Sequence, residues 1–333
     1  MRFERKNAPH IRFPEASRTL MINVLLALAV LYVMATFYYG PRALALGLAS
    51  LLAATLTDFI CLFIYGKRFN YRDLSPMVTG LILPLLMPAS IPFHIPVIAA
   101  VFAIFIVKHP FGGTGHNLFN PAAGGFAFVA VCFPQQMFLY PSPMEYLPLF
   151  PDSLVLGTSP AFSLSIGGVP GYDIVTMALG NMPGPMGATN ILVLLAALIF
   201  LMSRRTVQWE TPVFFLLTAA LIAFWFPRAP VSSTLSVLYE LMSGMLLFGA
   251  VFLLGDPVTL PKRDWARVLY GVVAAIIVMV FRRVSSLEES FVFSLLFMNA
   301  FVWLFDLLAE RAVGLLRRKK FETLRTSEVQ EKV

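Results

Sequence analysis

The run LMINVLLALAVLYVMATFYY, residues 20–39, decides the class of this protein. Its uncharged and mostly apolar residues rise about 30 Å as an α-helix, the thickness of a bilayer's hydrocarbon core. A second run, Leu44 to Ile64, repeats the pattern and is interrupted by Asp58 toward one end. The rest of the 333-residue chain agrees with this pair: 58% of residues are hydrophobic and 13% are charged, where soluble domains carry about a quarter charged residues. The charges cluster in short patches and leave long stretches clear. The net charge of +7 does not point to nucleic acid, because the basic residues border apolar segments in the positive-inside pattern. The opening MRFERKNAPHIRFPEASR is polar and basic for too long to be a secretory leader, so the first run is expected to stay as a spanning helix. Cys61 and Cys132 lie in apolar runs, without the spacing of a metal or iron–sulfur site.

Further apolar segments follow at 97–107, 119–133, 188–202, 211–226, 237–254, 268–281 and 291–308, with a proline-broken one at 76–87. Taken as spans, they predict an all-α polytopic membrane protein of roughly nine to ten transmembrane helices. These would form two pseudo-symmetric halves with short Pro/Gly-interrupted helices. The expected layout is a cytoplasmic segment at 1–18, a first transmembrane half at 19–140, an extracytoplasmic loop at 141–185, a second half at 186–310 and a cytoplasmic tail at 311–333. The loop is placed outside because it contains no lysine or arginine. The clusters at the N-terminus, 67–72, Arg204–Arg205, 262–267 and the tail then face the cytoplasm. Arg282–Arg283 falls on the wrong side, sharing its loop with Glu288–Glu289.

Polar groups at membrane depth are costly and usually functional, which makes Asp58 and Glu240 candidates for an ion pathway; placement near the headgroups is the plainer reading. Two segments look like matched parts, DLSPMVTGLILPL at 73–85 and SGMLLFGAVFLLGDPVTLP at 243–261. Each joins a small polar residue and glycine to an apolar run ending at proline, as interrupted helices around a central site do. The stretch HPFGGTGHNLFNPAAGG, 109–125, is not a phosphate-binding P-loop, since no Gly-Lys-Ser/Thr follows. His116, Asn117 and Asn120 can read the polar edge of a planar ligand there, with glycine permitting close approach. In GNMPGPMGATN, 180–190, Gly184 and Gly187 allow tight turns ahead of a predicted helix start. Thr189 is expected in that first turn, where free N–H groups favour an anion such as phosphate; a simple capping role for its hydroxyl is the alternative. No catalytic dyad or triad and no metal-ligand cluster is evident.

In chain order, DLSPMVTGLILPLLMP (73–88), GHNLFNPAAGGFAF (115–128), LGNMPGPMGATN (179–190) and GAVFLLGDPVTLP (249–261) resemble the RnfD/NqrB family. These are flavin-carrying membrane subunits of the Rnf and sodium-pumping NADH:quinone reductase complexes. The resemblance covers nearly the whole chain, and the size is more like the RnfD branch. It implies FMN on Thr189 through a phosphoester, installed on the outer face by a separate flavin transferase. It also implies a non-covalent flavin, riboflavin or a second FMN, with Asn117, Asn120 and Thr79 at its polar edge and Phe119 and Phe126 against its rings. The implied role is electron relay coupled to Na+ or H+ movement, within a ferredoxin:NAD or NADH:quinone type complex of the bacterial inner membrane. Partners would include a flavin-carrying subunit, an iron–sulfur subunit and other membrane and soluble subunits. The chain departs from the family where Met186 precedes Gly187 in place of the frequent Ser or Thr, and where His116 replaces a glutamine-like residue. Two other readings stay open. A cofactor-free secondary transporter would rest on the broken segments with Asp58 and Glu240. A scaffold subunit that has lost its flavin would rest on Met186.

Overall fold

The computed structural model describes residues 17–66, 73–144, 146–150, 154–284 and 289–312. The basic cluster at 67–72, Glu288, and most of the expected terminal segments lie outside the described residues. The first apolar run becomes α1, Ser17–Tyr39, and the second α2, Pro41–Ile64. Gly40, at φ 78°, turns the chain between them, and Pro41 opens α2, where its missing N–H is harmless. The two helices pack closely because Gly47 offers no Cβ to the Tyr32 ring, which a side chain there would meet at 2.4 Å. The Tyr32 hydroxyl reaches on to donate to the Leu81 carbonyl at 2.8 Å.

Leu81 belongs to α3, Ser75–Leu85. The chain then turns and re-enters as α4, His94–Phe102, which continues through a π-helical stretch, Ala103–Lys108. Asn120 caps α5, Pro121–Cys132, and α6, Pro134–Met137, follows. The long loop carries two short helices, α7 (Pro160–Ser165) and α8 (Ile174–Leu179), the second being the helical piece expected at those positions. Then come α9, Ile191–Ser203, and α10, Glu210–Trp225. Helix α11, Ser233–Met242, bends by 65° into α12, Leu246–Phe248, and its π-helical continuation Gly249–Leu253. The chain closes with α13, Asp264–Val284, α14, Phe291–Ala300, and α15, Val302–Ala312, the last pair bent by 51°. The protein is multi-pass and embedded in the membrane.

The expectation of nine to ten spanning helices in two pseudo-symmetric halves is overturned. Among the described residues three helices, α1, α2 and α13, are long and apolar enough to cross, or five if each bent pair is one span. The apolar runs at 119–133 and 188–202 yield helices of 12 and 13 residues, rising about 18–20 Å and falling short of the bilayer core. Hydropathy marks burial, but helix length is set by Pro, Gly and capping Asn residues. Asn120 and Asn190 each bond the N–H groups of the following turn and so start the helix later than the apolar run suggests. The two sides of the loop are not matched element for element, since two of the three long helices precede it, and α9 packs back on α1.

Broken helices leave carbonyls and N–H groups that lipid cannot satisfy. Arg42 answers one break. Its buried guanidinium donates to Ala89 O at 2.8 Å, Ile91 O at 2.8 Å and Ser90 O at 3.2 Å, and also to the Leu149 carbonyl. Arg282 answers the other, donating to Ser243 O at 2.7 Å and Glu240 O at 3.1 Å. Across the same break Glu289 accepts from Met245 N–H at 2.9 Å. Gly244, at φ 62°, permits this approach, because a Cβ there would meet Glu289 Oε1 at 2.4 Å. Arg282 is therefore a structural group that stitches a helix break and pairs with Glu240 at 2.9 Å. This accounts for its position against the positive-inside rule.

Candidate functional site

The loop following the first π-helical stretch, α3 and the segment after α12 converge on a cavity of about 230 Å3. Helix α3 contributes Ser75, Val78, Thr79 and Ile82, the one-face spacing of an α-helix. The walls are mostly apolar with a few polar groups, the usual make-up of a small-molecule site, and the volume lies just under the roughly 300 Å3 at which such pockets begin. Both π-helical stretches reach it: Lys108 ends one, and Val251 and Phe252 lie in the other. The wide turns that such stretches contain are often found at functional sites.

The polar groups differ in how free they are. Asn120 is committed, its Oδ1 accepting from Ala122 and Ala123 N–H at 3.0 and 3.2 Å while its Nδ2 donates to Leu253 O at 3.3 Å. Asn117 is not, since its Oδ1 is buried without a hydrogen-bond partner. Lys108, 2% exposed, donates to Asp58 Oδ1 at 2.9 Å and lies 3.7 Å from Asp73 Oδ2, so two carboxylates flank it. His109 Nε2 shares Asp58 Oδ1 at 2.9 Å. Burial pushes the Asp73 carboxyl up, but Lys108 and hydrogen bonds from Thr114 and Ser75 more than offset this and hold it below its ordinary value. Among the described residues no ion pair involves Asp256. Burial pushes its carboxyl up to about 6, against a smaller opposing effect of the Val258 N–H.

The 180–190 segment folds into a tight turn against the end of α3. Gly187 N–H donates to Leu85 O at 2.8 Å and Met186 N–H to Met87 O at 3.0 Å, each filling a carbonyl left by the helix end. Gly187 permits this contact, because a Cβ there would lie 2.6 Å from Leu85 Cβ and 2.8 Å from Phe248. Thr189 sits one residue ahead of the helix cap, not in the first turn, and is 2% exposed. Asn190 holds the cap position, accepting from Val193 N–H at 3.0 Å, and donates to Leu179 O at 2.9 Å. Gly184 lies beside the Thr189 methyl group, 3.1 Å from where its own Cβ would be. Phe248 touches the turn and Phe252 lines the cavity, with ring centroids 4.9 Å apart.

Of the residues singled out by sequence, the structure gathers Thr79, Asn117 and Asn120 at the cavity. His116 is exposed and Phe119 packs on Phe111 at 6.5 Å; neither lines the cavity. Asp58 sits behind it, joined through Lys108. Glu240 is remote from it and held by Arg228 and Arg282. Lys108 and Asp256 were missed, the first because it ends an apolar run and the second because it lies beside a proline in an apparent turn. A charge flanking a Gly/Pro break is the signal that could have found both.

A family model described as the NQR2, RnfD, RnfE family matches residues 4–314. The D subunit of the ion-translocating oxidoreductase complex of Halorhodospira halophila is 31% identical over 326 residues, covering 90% of this chain and 91% of that protein. The D subunit of the Na(+)-translocating ferredoxin:NAD(+) oxidoreductase complex of Acetobacterium woodii is 29% identical, covering 94% and 96% respectively. Its counterpart in the proton-translocating ferredoxin:NAD(+) oxidoreductase complex of Clostridium ljungdahlii is 28% identical, covering 91% and 93%. The chain belongs to the NQR2, RnfD, RnfE family, and is a membrane subunit related to ion-translocating electron-transport complexes.

Proposed function

From that membership we propose that this chain relays electrons through two flavins and couples the relay to Na+ or H+ movement. One flavin is FMN on Thr189; the other is a non-covalent flavin, riboflavin or FMN, in the cavity. The observation that carries the reading is the cavity itself, where the 73–88, 115–128 and 249–261 segments meet and Asn117 Oδ1 is left without a partner. The residues fit a planar heterocycle with an imide edge. Asn117 and Thr79 supply hydrogen-bonding groups, while Asp256 presents a carboxyl to the same space. Val78, Ile82 and Phe252 supply apolar contact. Lys108 is flanked by the Asp58 and Asp73 carboxylates, so this corner has no surplus positive charge, which suits a ligand without phosphate. A bound flavin supplies the one- and two-electron chemistry, and the protein positions it and tunes it.

Thr189 supports the covalent half through its hydroxyl and through its apolar turn, which lies one α3 turn beyond the cavity: Ile82 lines the cavity and Leu85 holds Gly187. Partners would be the other membrane and soluble subunits of an Rnf-type complex, with a flavin transferase for maturation. The coupling ion stays open between two, since relatives of similar identity are named for sodium and for protons.

The test is flavin content. Protein produced with the transferase should release one flavin into acid and keep one that fluoresces in a denaturing gel. Thr189→Ala should lose the second and keep the first, while Thr189→Ser should keep the first and part of the second. A wild-type protein with no flavin of either kind would leave the transporter or scaffold reading in place.

A further inference from the structure

Arg228, Glu240, Arg282 and Glu289 meet at the break between α11 and α12, and their partners are unevenly shared. Glu240 is served twice, by Arg228 Nη2 at 2.7 Å and by Arg282 Nη1 at 2.9 Å. Arg282 is fully engaged, since it also donates to Glu240 O at 3.1 Å and Ser243 O at 2.7 Å, where the negative end of α11 favours a cation. Arg283 turns away to the Phe226 carbonyl. Glu289 is 1% exposed, and its Oε2 accepts from Met245 N–H at 2.9 Å. Its Oε1 is buried without a hydrogen-bond partner, and among the described residues no ion pair involves Glu289. Arg282 and Glu289 nonetheless face each other across Gly244. A Cβ there would lie 2.4 Å from Glu289 Oε1 and 2.9 Å from Arg282 Nη2. In this setting an ionised Glu289 is costly and the neutral acid is not. Burial pushes its carboxyl above the ordinary value, and Arg282, the Met245 N–H and Arg228 offset this only in part.

We propose that a proton on Glu289 decides which acid Arg282 serves. With the proton on Oε1, Arg282 stays on Glu240 and on the carbonyls that end α11. Without it, the carboxylate draws Arg282 across Gly244, and the Ser243 carbonyl loses its donor. The proton passes from Oε1 to solvent, and no bond other than that O–H changes. The two arrangements make a discrete pair, because Arg282 cannot fill both sets of contacts at once. The switch reaches further, because the helix Leu246–Leu253 carries Phe248 against Gly187 and Phe252 at the cavity wall. It stands independently of either flavin. Its sign follows from the raised folded value. The stability that the proton supplies is complete below the ordinary 4.5 and is lost as pH rises through the folded value.

The experiment uses the full chain in detergent, in a Cys61→Ser, Cys132→Ser background, between about pH 5 and 9. The infrared difference between this chain and the same chain with Glu289→Gln should show the carbonyl stretch of a neutral carboxyl, and the band should fade as pH rises. Ser243→Cys then reports on the break itself. Its reaction with a small methanethiosulfonate should accelerate with pH roughly fivefold more when Glu289 is present than in Glu289→Gln, the worth of about one hydrogen bond. The Gln variant supplies the thiol's own pH dependence, and at the acid end the two rates should agree. A difference spectrum without a neutral carboxyl band would overturn the proposal. So would equal labelling of the two chains at every pH. If Glu289→Gln does not fold, glutathione supplies the reference for the thiol, and labelling that only follows glutathione overturns the switch.

Discussion

At the residue scale, the two acids that sequence offered as an ion pathway lie in opposite surroundings. Asp58 borders the cavity through Lys108, whereas Glu240 is clamped by Arg228 and Arg282 at a helix break. Removing one partner of such a buried pair strands a charge. Arg282→Ala should therefore destabilise the fold by roughly 3–5 kcal/mol, seen as a lowered thermal midpoint in detergent with loss of folded yield. Replacing the pair together, Glu240→Gln with Arg282→Met, should recover little of that loss, because Arg228 then loses its carboxylate partner. Asp256 gives a pH-dependent prediction. Its folded value of about 6 lies above the ordinary 3.8, so the folded state holds this proton more tightly, and stability falls as pH rises from about 4 through 6. Asp256→Asn escapes that loss. Its thermal midpoint should exceed wild type at pH 7–8 and converge on it below about pH 4; an equal gap at all pH values would remove the assignment to this carboxyl. Sequence reached Thr79, Asn117 and Asn120 because amides and hydroxyls beside glycine stand out in an apolar chain. It did not reach Lys108, whose partners Asp58 and Asp73 are 50 and 35 positions away in the chain.

At the element scale, hydropathy read α1 and α2 correctly because those runs have no cap or breaker inside them. It overestimated the helices that begin at Asn120 and Asn190, where an amide side chain decides the first turn and the apolar residues before it belong to a loop or turn. The breaks at 86–93 and 243–245 were legible as proline and glycine. Their repair was not, because the arginines that fill the exposed carbonyls come from α2 and α13. Arg42→Gln should show how much one repair contributes. It retains at most part of the four bonds and should lower the thermal midpoint while leaving helical circular dichroism nearly unchanged, since the helices on either side persist.

At the scale of the whole molecule, α9 runs from the Thr189 turn to Arg204–Arg205 near Thr206 at the cavity. The positive-inside rule puts the second end in the cytoplasm. In a Cys132→Ser background, Ser203→Cys should react with an impermeant maleimide from inside-out vesicles and Asn181→Cys from right-side-out vesicles; both residues are exposed and Cys61 is buried. The reverse labelling would invert the orientation. The wide turns Ala103–Lys108 and Gly249–Leu253 tolerate a deletion that an ordinary helix would not. Each holds one residue more than a regular helix needs, so each is a place where the chain can lose a residue and remain a helix. Deleting Phe105, which is exposed, would rewind the first stretch to an ordinary helix and leave the residues after it facing much as they do now, with Lys108 still at the cavity wall. A homologue shortened by one residue there should keep both its helices and its ligand.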